Sequence, residues 1–330
     1  MPDIWAPNRW YSVLRYYTDA CTWFSYSRMQ VRGTIPSDGA VILTPNHTNT
    51  LMDAMVLLRA RHAPTVFGAR ADIFRKPAAN RALRFLRILP MTRARDGIRN
   101  VTDNYQTFAE IDDALAHGMP FCLFPEGTHH PGRVLQPIRK GFARLAFASA
   151  ASRKTYLVPV GINYGHFFRF RSSCEITFGE PVDVNAFLES HAGSPEPERF
   201  QAIREIMEKR LGPLVDPLPP RRPARWKSWL LLPLFPAAAL LSLPLWLPAE
   251  IIVNKLKDKA FANSVRYLVK LFLTPLVLLL WALVFGLTLP WWAALGVIAL
   301  YFSSYSIFYD VLPLFHDPLR KEEEAVEKNI

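Results

Sequence analysis

The 330-residue chain is poor in cysteine: Cys21, Cys122 and Cys174 are its only three. They make no C-x-x-C pair and no zinc-ligand spacing, which argues against a disulfide framework and a metal centre and for a reducing compartment. Cys122, inside "PFCLFP", reads as a small buried residue. No G-x-S-x-G elbow occurs, so a serine hydrolase is not indicated. "GTHHPGRV" (127–134) has glycines at P-loop-like spacing but lacks the Lys-Ser/Thr ending a phosphate cradle needs. Asp3, Arg9 and Arg15 interrupt the N-terminal apolar residues, and no signal peptide is expected. There is no internal repeat. Acidic residues are the minority charge, 28 against 39 Lys plus Arg, for a net charge of +11. Such a balance suits anionic lipid, phosphorylated substrates or nucleic acid. The mostly apolar sequence from Trp229 onward favours lipid, and no nucleic-acid partner is expected.

Hydrophobic periodicity predicts an α/β fold, a mostly parallel sheet covered by helices. Residues 9–28 read as an amphipathic helix with Trp10, Val13, Leu14, Tyr17, Cys21 and Phe24 on one face and Arg9, Ser12, Arg15, Asp19 and Thr22 on the other. Its aromatic load suggests a helix lying in a membrane interface. Strands are expected at 40–45, 65–69, 155–164 and 173–179, and a strand followed by a turn over 120–127. Helices are expected at 50–61, 80–89, from Asn100 or Thr102 to Gly118, and at 137–152. A further helix is marked by Phe200, Ile203, Met207 and Leu211.

The expected organisation is an N-terminal interfacial region (1–34), a catalytic domain (35–214), a basic Pro-rich linker (215–228), a hydrophobic membrane region (229–310) and a charged tail (311–330). Within the membrane region, Pro233, Pro236, Pro244 and Pro248 argue that 229–248 is a broken, re-entrant hairpin, followed by a basic connection over 249–270. Residues 271–289 read as a spanning helix, "LPWW" (289–292) as an interfacial turn, and 293–309 as the return. Basic residues flank 229–248 on both sides, which places its two ends, the catalytic domain and the tail on the cytoplasmic face.

The stretch "LTPNHTNTLMDA" (43–54) ends a strand in small polar residues that suit the free N–H groups of a helix start. Asp53, six positions after His47, is placed to accept a hydrogen bond from His47 Nδ1, which leaves Nε2 as a general base. "FPEGTHH" (124–130) is a strand-end turn that aims Glu126 outward, where the carboxylate and exposed backbone suit a polar substrate. Arg139 and Lys140 stand near a helix start, a good place for phosphate. Arg93, after the apolar run "ILPM", is a natural bidentate phosphate partner. In "VPVGINY" (158–164), Pro159 and Gly161 interrupt a strand, as a pocket wall or a sheet edge would.

In this order the blocks over residues 35–185 resemble those of the glycerolipid acyltransferases, the PlsC-type family, membrane enzymes that move an acyl chain from a thioester to a glycerol-phosphate compound. The resemblance implies that His47 is the base and Asp53 its orienting partner. It implies substrate binding by Arg93, Glu126 and Gly127, with His130 where the third block often carries a His. Asn46, Thr128 and Lys140 are expected to bind substrate beside them, and no metal or cofactor is expected. Acyl-CoA or acyl-carrier protein would be the co-substrate, and a phospholipid membrane the setting. Five residues separate His47 and Asp53 where the family usually has four. That spacing and "FPEGTHH" look more like the glycerol-3-phosphate/dihydroxyacetone-phosphate type. Lysophosphatidic acid is the alternative acceptor, and a catalytically inactive lipid-binding protein the alternative of another class.

Overall fold

The computed structural model describes residues 3–91, 101–215 and 225–315, the side chains of 101–105 and 225 apart. Helix α1 (Arg9–Trp23) precedes β1 (Arg28–Arg32), β2 (Ala40–Pro45), α2 (Leu51–Arg61), β3 (Val66–Arg70), α3 (Pro77–Phe85) and β4 (Ile88–Met91). Then come α4 (Val101–Ala116), β5 (Phe121–Cys122), α5 (Gly141–Ala150), β6 (Thr155–Tyr164), β7 (Ser173–Phe178), β8 (Val182–Asp183), α6 (Val184–Ser190) and α7 (Glu196–Leu211). The C-terminal part consists of α8 (Arg225–Leu231), α9 (Phe235–Lys255), α10 (Ala262–Thr288) and α11 (Trp291–Val311).

The strands form one eight-stranded sheet of order β1-β7-β6-β2-β5-β3-β4, with β8 beside β6. Every pairing among them is parallel except those of β6 with β7 and with β8, so the expected mostly parallel, helix-covered sheet is what forms. Ile42, Leu43, Phe121, Leu157 and Val158 on the central strands are fully buried, as strands covered on both faces require. Gly118, with a φ of 71°, ends α4, and Met119 N returns to Ala114 O at 3.0 Å in a left-handed helix stop.

Several expectations change. Strand β1 lies upstream of residue 35 and pairs with β7, so the sheet begins inside the segment assigned to the N-terminal region. In α1 the inward face is not simply the apolar one: Cys21 is buried, but so are Tyr11, Arg15, Asp19 and Thr22, while Trp10, Val13 and Phe24 of the expected apolar face are exposed. Arg15 and Asp19 tolerate burial because they pair with each other at 3.2 Å, and Arg15 Nη2 donates to His62 O at 2.8 Å. The helix expected at 80–89 instead spans Pro77–Phe85 and gives way to β4. Pro159 and Gly161 do not interrupt β6, which is an interior strand. Gly161 is there because Leu214 crosses it: a Cβ would sit 2.4 Å from Leu214 O.

Three helical stretches, Trp226–Lys255, Lys259–Thr288 and Trp291–Leu314, are long and apolar enough to cross a membrane. Pro244 and Pro248 do not break α9, which continues through both to Lys255, so the connection expected over 249–270 shrinks to residues 256–261. The segment nonetheless doubles back. Ser228 Oγ donates to Asp310 O at 2.6 Å and Tyr309 Oη to Glu250 Oε1 at 2.6 Å, so residues 228 and 250 both meet adjacent residues of α11. A straight helix would set them about 33 Å apart. Leu232–Leu234, around Pro233, form a 3₁₀ turn between α8 and α9.

These helices are not a separate appendage. One hydrophobic cluster runs from Leu43, Val56, Val160 and Ile176 into Leu241, Tyr267, Tyr301 and Tyr305. Polar ties cross the same junction: Arg171 pairs bidentately with Asp310 at 2.8 and 3.1 Å, and the buried Lys270 Nζ donates to Cys21 O at 3.1 Å. All three cysteines are free and buried.

Candidate active site

Parallel strands β2, β5 and β6 end side by side, and the polar segments that follow them meet at this carboxyl edge of the sheet, where open α/β sheets place their ligand sites. After β2 the chain turns through Asn46–Thr50 into α2. Thr50 has a φ of 47°, a conformation a β-branched residue rarely adopts. Across that turn Asp53 Oδ2 reaches His47 Nδ1, at 2.8 Å.

Asp53 is fully buried and held by four donors. Its Oδ2 also accepts from the Thr48 and Asn49 N–H groups at 2.8 and 2.7 Å, and Oδ1 accepts from Tyr164 Oη at 2.8 Å. A carboxylate committed to four donors fixes the proton of His47 on Nδ1 and leaves Nε2 as the acceptor. The His47 ring stacks on Phe124, centroids 4.1 Å apart, and its side chain keeps 18% exposure, so the dyad has a sheltered side and an open one.

Glu126 does not point outward. It is 3% exposed, and its Oε1 accepts from the His47 backbone N–H at 2.9 Å. The His130 N–H donates in turn to His47 O at 2.9 Å, so the "FPEGTHH" turn grips the His47 peptide from both sides. Gly127, with a φ of 72°, makes that turn possible, and Arg139 braces it: its Nε donates to Glu126 O and its N–H to Pro125 O. Burial drives the Glu126 carboxyl up to about 7. The His47 N–H opposes this, the charge of Asp53 adds to it, and the backbone at Gln136 again opposes it.

A carboxyl whose pKa is higher folded than unfolded favours the folded state while it is protonated. Stability is therefore full below about 4.5, falls as pH rises to about 7, and levels off above that. Relative to Glu126→Gln, which keeps an oxygen for the His47 N–H, the wild type should lose about 3 kcal/mol between pH 4.5 and 8. Thermal unfolding of both proteins across that range checks it, and parallel curves would contradict the protonation reading.

The other expected site residues fall into three groups. Asn46 is buried and spends its amide on Ile162, accepting from N at 2.7 Å and donating to O at 3.0 Å, so it bridges β2 to β6. Thr128, His130 and Lys140 are exposed around the turn and the start of α5. Arg93 lies outside the described residues. Sequence reasoning missed Tyr164 as an Asp53 donor, although it closes the "VPVGINY" stretch, and it missed Phe124 as the ring beneath His47. It also missed the approach of the α9–α10 connection, where Asp258 Oδ2 meets His129 Nε2 at 3.0 Å. Among the described residues no cluster of three or more His, Cys, Asp or Glu could hold a metal ion.

Residues 28–163 match the family model described as Acyltransferase. The chain is 29% identical over 109 residues to glycerol-3-phosphate O-acyltransferase 1 of Saccharomyces cerevisiae, covering 32% of this chain and 14% of that protein. It is 32% identical over 108 residues to glycerol-3-phosphate O-acyltransferase 2 of the same yeast, with the same coverage. The matched stretch is thus a small part of each yeast enzyme. A solved structure, the 1-acyl-sn-glycerophosphate acyltransferase PlsC from Thermotoga maritima, aligns over 60% of this chain and 77% of that one, at 23% identity and a TM-score of 0.43. His47, Asp53 and Glu126 all lie within the stretch, residues 28–163, that is similar to the Acyltransferase family.

Proposed function

We propose that the chain is a membrane-bound O-acyltransferase of phospholipid synthesis, which esterifies glycerol-3-phosphate or dihydroxyacetone phosphate with an acyl group from acyl-CoA or acyl-carrier protein. The observation that carries this is the His47–Asp53 pair, with its carboxylate fully buried and its imidazole open on one side, inside an acyltransferase domain. His47 Nε2 takes the proton of the acceptor hydroxyl as that oxygen forms a bond to the thioester carbonyl carbon. The tetrahedral oxyanion then collapses, the carbon–sulfur bond breaks, and the leaving thiolate takes the proton back from His47. Asp53 offsets the imidazolium charge in between. The Thr48 and Asn49 N–H groups are committed to Asp53, and those of Gly127 and His130 to Phe124 O and His47 O, so oxyanion stabilisation is assigned to the Thr128 and His129 N–H groups between them.

Arg93 and Lys140 supply the cationic grip on the phosphate. The names of the yeast relatives support a glycerol-3-phosphate acceptor in preference to lysophosphatidate. The three apolar helical stretches support a membrane setting, and the basic residues flanking α8 and α9 support the cytoplasmic face for the domain.

The test is an assay of the full chain in proteoliposomes with labelled palmitoyl-CoA and palmitoyl-carrier protein. Glycerol-3-phosphate, dihydroxyacetone phosphate and lysophosphatidate are each offered as acceptor. Highest kcat/KM is expected with glycerol-3-phosphate, and Arg93→Ala should raise the KM for that acceptor on the order of 10-fold or more while leaving the donor KM within about 2-fold. A strong preference for lysophosphatidate would overturn the acceptor assignment, and no transfer to any acceptor would overturn the enzymatic one.

A further inference from the structure

The α9–α10 connection and the start of α10 lie outside the segment matched by the acyltransferase model, yet between them they approach the dyad from two directions. Behind the dyad, Thr50, the residue with positive φ in the His–Asp turn, places its Oγ1 2.6 Å from Ser264 Oγ, both residues buried. Asn263 Nδ2 and Asn49 Nδ2 donate to the same carbonyl, Phe167 O, at 2.6 and 3.0 Å. In front, Asp258 Oδ2 lies 3.0 Å from His129 Nε2. The His129 ring stands edge-on to His47, centroids 6.0 Å apart, and edge-on to Phe261 at 5.1 Å. Asp258 is itself fixed, because its Oδ1 accepts from Ala260 N at 2.9 Å.

We propose that Asp258 is a positioning residue for the transfer reaction: supplied by the C-terminal helices, it holds His129 across the mouth of the His47 site, so that these helices complete the active site. The inference rests on the acyl-transfer reading of that site. Among the described residues Asp258 is the one polar partner of the His129 ring, so without it the ring has only aromatic edges to hold it. Burial pushes the Asp258 carboxyl up, but the hydrogen bonds from His129 and Ala260 N outweigh it and hold the group below its ordinary value, which keeps it an acceptor. A wall beside the base sets the angle at which the hydroxyl meets Nε2, and misplacement of about 1 Å costs on the order of 10²-fold in rate.

Asp258→Asn is the informative variant. Its remaining oxygen still caps Ala260 N, while the atom facing His129 becomes an NH₂ donor opposed to a ring N–H. In proteoliposomes, with palmitoyl-CoA and the preferred acceptor, kcat should fall on the order of 10-fold with donor KM within about 2-fold, and Asp258→Glu should recover part of the loss. His129→Ala should fall by a similar factor, and the double variant should be no slower than His129→Ala alone. An arm independent of activity reads the contact itself. Diethyl pyrocarbonate modification of His129, followed by peptide mass spectrometry, should be several-fold faster in Asp258→Asn, because Nε2 is released. Wild-type kcat and an unchanged modification rate in Asp258→Asn would overturn the proposal, as would losses that multiply in the double variant. If even the wild type transfers no acyl group, the modification arm still decides the contact while the reading of the site falls by itself.

Discussion

Replacing His47 with alanine is expected to lower acyl transfer by roughly 10²–10⁴-fold, the usual worth of a positioned general base. The size of the effect follows from how completely the surroundings are committed to that imidazole. Asp53 has no exposure and four donors, one of them Nδ1, and the His47 peptide is held by Glu126 on one side and the His130 N–H on the other. None of these groups takes over the proton transfer, because each faces away from Nε2 or is already paired. Acyl-donor binding should change little, so the loss belongs in kcat. Single-turnover transfer from labelled palmitoyl thioester measures it directly. Retention of more than about a tenth of wild-type kcat would remove His47 from the role of base.

Arg266→Met should destabilise the folded chain by about 3–5 kcal/mol, the typical cost of stranding one member of a buried ion pair. Arg266 Nε and Nη2 grip Glu250 at 2.7 and 2.9 Å, Tyr309 Oη adds a third bond to that carboxylate, and Arg266 Nη1 donates to Phe168 O at 2.7 Å. Three helices and the segment after β6 therefore meet at one guanidinium. In detergent or lipid the apparent Tm should drop by roughly 6–15 °C. Adding Glu250→Leu should recover most of it, since replacing both charges with apolar groups is often near neutral. A double variant as unstable as Arg266→Met would mean that the contact to Phe168 O, not the stranded carboxylate, carries the loss.

Where the sequence was legible, the reason is local. The His–Asp pair is spaced so that both fall around one helix start, and the parallel sheet follows from strands alternating with helices. What was not legible depends on partners far along the chain. The direction of Glu126 is set by the left-handed Gly127 and by Arg139 behind it, neither of which changes the hydrophobic pattern. The inward face of α1 looked polar because Arg15 and Asp19 satisfy each other only once His62 O is beside them. Strand β1, "RMQVR", has little apolar alternation, and it forms because β7 offers it a full register from Arg28–Ser173 to Arg32–Thr177. Asp258 carried no signal at all, a single acid among the lysines of a connection, until His129 was seen against it.

The place of Asp310 also sets an order for the synthesis of the chain. It is the carboxylate for Arg171, made 139 residues earlier, and its carbonyl receives Ser228, while the neighbouring Tyr309 completes the setting of Glu250. During translation Arg171 Nε and Nη2 and the Ser228 hydroxyl lack these acceptors until α11 leaves the ribosome. Nascent chains arrested before α11 should consequently be protease-sensitive in the β-sheet, and acquisition of resistance should coincide with emergence of Asp310.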